Sequence, residues 1–160
     1  MKLQPTSRAG LVLALVLITS AISFARFAAP AAPAASGPAD PASEALKTAM
    51  HQMDESLKTL GKGITPENRA ASLDELGKFQ AAVLAAKALT PDSAAKVDEK
   101  KRAAFVNEFH ETLIETLQIS LTAEVAIVEG KYKDADTVIR NKLGGVKSKG
   151  HGKFKTDGGQ

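Results

Sequence analysis

The sequence predicts an all-α protein, an antiparallel up-down-up-down bundle of four helices that follows a cleavable leader and an Ala/Pro-rich tether. Apolar residues recur at intervals of three and four, which places them on one face of a helix. Proline, glycine and capping residues divide this pattern into four segments, and their short connections make successive helices antiparallel neighbours. No stretch alternates apolar and polar residues with period two over a useful length, so we expect no strands.

Residues 1–25 have the parts of a secretory signal peptide. Lys2 and Arg8 form a basic start, an apolar run follows, and Ser23 and Ala25 are small residues at the −3 and −1 positions of a cleavage site after Ala25. The run is shorter than the roughly 20 residues that span a bilayer, and an uncleaved membrane anchor is the alternative. We therefore expect a periplasmic protein with no stable membrane anchor after cleavage.

Cysteine content and charge restrict the function further. The chain contains no cysteine, which excludes thiolate chemistry, lipoprotein anchoring, iron–sulfur ligation and covalent c-type haem attachment. The formal net charge of +3 falls by two, to +1, when Lys2 and Arg8 are removed with the leader. A charge so nearly balanced does not favour nucleic acid as a partner.

The first helix follows a linker, residues 26–43, that is almost entirely alanine, proline, serine and glycine and has nothing to bury. Asp40 supplies a capping side chain and Pro41 suits the first helical position, so we expect a helix from about Pro41 to Leu60, ended by glycine. Its apolar residues alternate in steps of four and three along one stripe: Leu46, Met50, Met53, Leu57 and Leu60.

Three more helices are predicted within a bundle domain of residues 44–155. The second starts at Thr65-Pro66-Glu67 and reaches about Ala88, with inward candidates Leu73, Leu76, Phe79 or Gln80, Val83 and Leu84. The third runs from about Ser93 to Glu129 and carries Phe105, Phe109, Leu113, Leu117, Leu121, Val125 and Val128. The fourth runs from near Tyr132 to about Phe154, although Gly144 and Gly145 weaken it. Residues 156–160 are a tail.

Met50 and His151 are the candidate ligands of a cofactor. In the predicted topology the start of the first helix lies beside the end of the fourth, so the two side chains share one layer of the bundle. An imidazole nitrogen and a thioether on facing helices are what axial ligation of a b-type haem requires. With both axial positions filled, such a site exchanges single electrons, and we do not expect an enzyme. The alternative is that the methionines only fill the core.

Several segments also resemble the cytochrome b562 family. They are Met50-x-x-Met53-x-x-x-Leu57-Lys58, Leu76 to Leu84 with the following Thr90-Pro91, the pair Phe105 and Phe109, Glu129 to Ala135, and His151 to Lys155. The resemblance covers about Ala45 to Lys155. It implies a periplasmic electron carrier with one noncovalent haem b, with Met50 and His151 as iron ligands and Phe105 and Phe109 near the porphyrin. Met53, on the same stripe, is the alternative sulfur.

Two features of the chain depart from that family. The third helix is about one turn longer, and one extra residue precedes His151 in the glycine-rich stretch. One residue turns a helix by about 100°, which points the imidazole away unless a bulge absorbs it. The paired glycines could tolerate a bulge, or they could mean that the haem has been lost. The second hypothesis is therefore a haemless exported bundle that acts as a binding or stress protein.

The remaining histidines and the lysines allow ordinary interpretations. His51 is rotated about 100° from Met50 and is expected to face solvent, and His110 is expected at the surface or boundary. A di-iron carboxylate site needs Glu-x-x-His pairs, which none of the three histidines provides. Five lysines near His151 form either a solvated helix end or a basic rim that steers an acidic redox partner or pairs with haem propionates: Lys142, Lys147, Lys149, Lys153 and Lys155. We expect a monomer whose periplasmic redox partner the sequence does not identify.

Overall fold

The computed structural model describes residues 40–155, where all regular secondary structure is helical and no strand occurs. The helices are α1 (Pro41–Leu60), α2 (Arg69–Lys87), α3 (Glu99–Val128), α4 (Tyr132–Thr137) and α5 (Gly144–Phe154), with a 3₁₀ turn at Asp92–Lys96 and a π-helical turn at Val138–Leu143. Because α4, the π turn and α5 are continuous, they form one fourth helix, and the prediction of four helices is confirmed. The expected leader, most of the linker and the tail lie outside the described residues. None of the helices in residues 40–155 is long and apolar enough to cross a membrane.

Helix α1 begins and ends as its sequence predicts. The Asp40 carboxylate accepts a hydrogen bond from the Ala42 amide at 3.1 Å, and Pro41 occupies the first helical position. Leu46, Met53 and Leu60 of the predicted stripe are buried, whereas two of its members are half-buried at one edge: Met50 and Leu57. Ala49 and Ser56 are buried as well.

Helix α2 begins at Arg69, so the predicted start at Thr65-Pro66-Glu67 is wrong. The Thr65 amide donates to the Asn68 side chain at 2.8 Å, and the Asn68 amide donates to the Thr65 hydroxyl at 3.4 Å. This reciprocal pair holds the chain in a turn ahead of the helix. Leu84, predicted to face inward, is 51% exposed.

Helix α3 starts later than predicted, because residues 92–96 form a separate 3₁₀ turn. Asp98 then caps α3 by accepting from the Lys100 amide at 3.0 Å.

The predicted inward stripe of α3 is wrong in its second half, where Leu121, Val125 and Val128 are exposed. Five successive steps of four residues each advance about 40° beyond a full turn, so the stripe winds around the helix and leaves the core. Six of the seven buried residues alternate in steps of four and three instead: Phe109, Leu113, Thr116, Ser120, Ala123 and Ile127. The seventh is Ala126.

The fourth helix contains a bulge, but it does not lie at the paired glycines, where the sequence would tolerate one. The π turn occupies Val138–Leu143, immediately before Gly144 and Gly145, which themselves stay in regular α-helix. The prediction that helix continues to Phe154 is confirmed. The inward side of this helix is formed by Ala135, Ile139, Leu143 and Val146.

The core leaves one side of the bundle less tightly packed. Helix α1 packs along α2, α2 packs along α3, and α3 packs along the whole fourth helix, whereas α1 and α5 approach each other at few positions. The gap between α1 and α5 determines where a ligand could enter.

Candidate functional site

A cavity of about 400 Å³ fills the gap between α1 and α5, with α3 behind it. Its volume lies in the range of small-molecule and cofactor sites. The walls are mainly apolar, and their apolar side chains include Leu46, Leu57, Phe79, Leu113, Leu143 and Val146. Apolar walls of this kind favour a ligand with a large apolar surface.

Met50 and His151 line this same cavity from α1 and α5. Both side chains are half-buried, so each has one side toward the cavity and remains close to solvent. Met53 also lines the cavity but is only 8% exposed, deeper in the core. The structure therefore brings together the proposed ligand pair and the alternative sulfur.

The π turn keeps the buried side of the fourth helix facing the core before and after the bulge. A π turn has i→i+5 hydrogen bonds in place of i→i+4, so it takes up one additional residue without rotating the helix that follows. The turn lies between the buried Ala135 of α4 and the buried Val146 of α5, and both ends of the fourth helix face the core. His151 follows five residues after Val146 and lines the cavity.

Three phenylalanine rings pack together beside the cavity, and two of them line it. Phe109 is 4% exposed and lines the cavity, whereas Phe105 does not line it. The ring of Phe154 lines the cavity and lies edge-on against both, with centroids 5.2 Å from Phe105 and 5.3 Å from Phe109. Sequence reasoning did not assign Phe154 to the site, although its position three residues after His151 places both on one helix face.

The end of α5 is fixed to the loop that precedes α3. The Ser93 hydroxyl donates to the Phe154 carbonyl oxygen at 2.8 Å. Phe154 is the last residue of α5, so this bond supports the helix end that carries His151.

Charged side chains surround the mouth of the cavity. Lys147 pairs with Asp54 at 3.1 Å, across the gap between α5 and α1, and both side chains are about one-third exposed. Lys47 and Lys155 also line the mouth. Lys153 pairs with Glu108 at 2.7 Å. These two ion pairs, of Lys147 and of Lys153, partly neutralise the basic cluster predicted from the sequence.

The other two histidines have different environments. His51 is exposed, as expected, but it also borders the cavity mouth. His110 lies outside the cavity, where its Nε2 donates to the Leu89 carbonyl oxygen at 3.1 Å.

Among residues 40–155 no three His, Asp or Glu side chains converge in a way that could hold a metal ion. A methionine–histidine pair is not a cluster of that type.

The sequence matches no protein-family model and no curated protein. The resemblance to the cytochrome b562 family therefore rests on the residues quoted above. To these residues the structure adds an apolar cavity that receives a thioether from one helix and an imidazole from another.

Proposed function

We propose that this protein is a periplasmic electron-transfer haemoprotein that holds one noncovalent haem b in the cavity between α1 and α5. The observation that supports this most strongly is that Met50 and His151 line the same, mainly apolar cavity. The residues of the cavity fit a haem b, because they supply one imidazole, one thioether, aromatic walls and lysines at the mouth. A bound haem b supplies a one-electron couple at its iron.

We further propose that the four helices run up-down-up-down. Two contacts between α3 and α5 support this: Lys153 pairs with Glu108, and Gly150 lies 3.9 Å from the Thr112 methyl group, measured from a Cβ placed on the glycine. Residue numbers fall along α3 while they rise along α5, as in an antiparallel pair. The topology places the first turns of α1 beside the last turns of α5.

Each group at the site has a separate part in the proposed function. Met50 would hold the iron with an uncharged sulfur, a ligand type that favours the reduced state, and His151 would hold it with a neutral imidazole nitrogen. Phe109 and Phe154 line the cavity with apolar rings, which would shield a bound haem from water. Lys47 and Lys155 stand at the mouth, where they suit the two carboxylates of a haem.

Reconstitution with hemin tests the proposal. Purified protein should bind hemin with one-to-one stoichiometry and show sharp low-spin α and β bands on reduction. Met50→Ala should shift this spectrum toward high spin, because it removes one axial ligand.

Met53→Ala is the matched control, since it removes a second sulfur from the same cavity and should leave the spectrum low-spin. If the protein does not bind hemin, the electron-transfer proposal is wrong and a haemless exported bundle remains. If only Met53→Ala changes the spectrum, Met53 is the ligand.

A further inference from the structure

A second apolar stripe runs along the outside of α3, away from the cavity. Ile114, Leu121, Val125 and Val128 are 41–57% exposed. With Gln118 they follow one another in steps of four, three, four and three residues, which is the heptad spacing of a helix that packs against another helix. We call these five residues the outer seam. Helix α3 thus has a buried seam in the core and a second seam on its surface.

Helix α2 extends this surface. Gln80 of α2 donates to the Glu124 carboxylate of α3 at 2.8 Å, and this bond fixes the two helices side by side. Leu84, one turn after Gln80, is 51% exposed, and Leu121 is close to one turn before Glu124. At Gly77, which is exposed, an added Cβ would meet no atom within 4 Å, so the surface is open there.

The charge that α3 itself carries along the outer seam is negative. Between Phe105 and Val128, α3 carries four glutamates and no lysine or arginine, although the whole chain has a formal net charge of +3. Glu111 and Glu115 are exposed, and neither has an ion-pair partner among residues 40–155. Glu115 directly follows Ile114, in the flanking position where coiled coils place the charges that choose a partner.

We propose that the outer seam binds an amphipathic α-helix of another protein, one whose apolar stripe is flanked by lysine or arginine. The heptad spacing selects a helix, and the glutamates select its charge. A second copy of this chain, paired seam to seam, would bring two acidic α3 surfaces together, which like-charge repulsion opposes. Like-charge repulsion also opposes binding of the outer seam to an anionic membrane surface.

Two designed amphipathic peptides test this surface. Both carry leucine at the a and d positions, and they differ only in having lysine or glutamate at the e and g positions. The lysine peptide should bind the purified protein and shift the backbone amide NMR signals of residues 114–128, and its affinity should fall as salt rises. The glutamate peptide should bind at least about tenfold more weakly.

Surface variants locate the binding. Leu121→Gln together with Val125→Gln should weaken the lysine peptide at least about tenfold, because two apolar side chains leave the interface. Thr59→Gln, an exposed change on α1, is the control and should bind as the unaltered protein does. Glu111→Lys with Glu115→Lys should reverse the preference between the two peptides.

Three results would overturn the inference: equal binding of both peptides, no binding of either, or binding that the Leu121 and Val125 changes leave intact. Sedimentation equilibrium adds a separate check. A dimer of the unaltered protein that the same two changes dissociate would identify a second copy as the occupant and refute the charge argument.

Discussion

Removing one residue from the regular part of α5, between the π turn and His151, should take His151 out of the cavity. Ser148 is the residue to delete, because it is exposed and lies in α-helix between Val146 and His151. The residues after the deletion rotate by about 100° relative to those before it. At a side-chain radius of about 5 Å, such a rotation displaces a group by about 8 Å, which is enough to take the imidazole out of the cavity.

The deletion also has a cost in stability. The Phe154 ring packs edge-on against Phe105 and Phe109, and it lies after the deleted position, so it rotates away together with His151. Fully burying one such side chain stabilises a protein by about 1.5–3 kcal/mol. Because Phe154 is half-buried, the free energy of unfolding should fall by less than that amount.

Hemin titration and urea unfolding measure the two effects, and deletion of Asn141 is the control. Asn141 is exposed and lies in the π turn, so its removal returns the turn to regular α-helix without rotating the residues that follow. The control should keep the low-spin spectrum, whereas the Ser148 deletion variant, judged folded by its far-UV circular dichroism, should bind hemin without the low-spin bands. Loss of the low-spin bands from the control, or a normal low-spin spectrum from the Ser148 deletion variant, would contradict this account of how His151 is directed. If the unaltered protein does not bind hemin, the proposed function has failed, and only the stability comparison between the two deletions tests the π turn.

Three further predictions concern stability and the cavity wall. Gly145→Ala should raise the free energy of unfolding by about 0.5–1 kcal/mol without changing hemin binding, because the position is helical and an added Cβ meets no atom within 4 Å; a destabilised variant in urea unfolding would contradict this. Phe154→Ala should weaken hemin binding more than Phe105→Ala does, since only Phe154 lines the cavity; the reverse order in parallel hemin titrations would count against the site. The Ser56 hydroxyl, and then Lys78, hold the pKa of Glu75 below its ordinary value of 4.5. This contribution to stability is therefore present above pH 4.5 and is lost as the pH falls through the lower, folded-state pKa. Urea unfolding should find Glu75→Gln less stable than the unaltered protein at pH 7, with the difference shrinking in acid; a difference that does not depend on pH would refute it.

The sequence predicted the ends of a helix correctly where capping residues at those ends determine where the helix begins. Asp40 and Pro41 specify the start of α1 through a cap and a fixed backbone angle, and the structure begins α1 there. The start of α2 was misjudged because Thr65 and Asn68 bond to each other across a turn, which the sequence allows but does not require.

Predicting which residues of α3 face the core requires the exact period of the helix. Steps of four residues resemble a helical stripe over two turns and leave it over five, so Phe109 and Leu113 were predicted correctly but Leu121 and Val125 were not. The sequence allowed a bulge at Gly144 and Gly145 without requiring one, and the π turn lies just before these glycines.

The predicted site depended mainly on topology. Two residues about one hundred positions apart, Met50 and His151, line one cavity between α1 and α5. Phe154 was not assigned to the site, because its place in the cavity depends on its packing against Phe105 and Phe109.

The most direct test of the central claim is an NMR spectrum of the reduced, hemin-reconstituted protein with ¹³C-labelled methionine methyl groups. The chain has three methionines, of which Met50 and Met53 lie in the bundle. A thioether bound to the iron holds its methyl group over the porphyrin face, where the ring current shifts its signal strongly upfield. We predict this shift for Met50 alone and its loss in Met50→Ala. An unshifted Met50 signal, or a shifted Met53 signal in its place, would contradict the assignment of Met50 as the ligand.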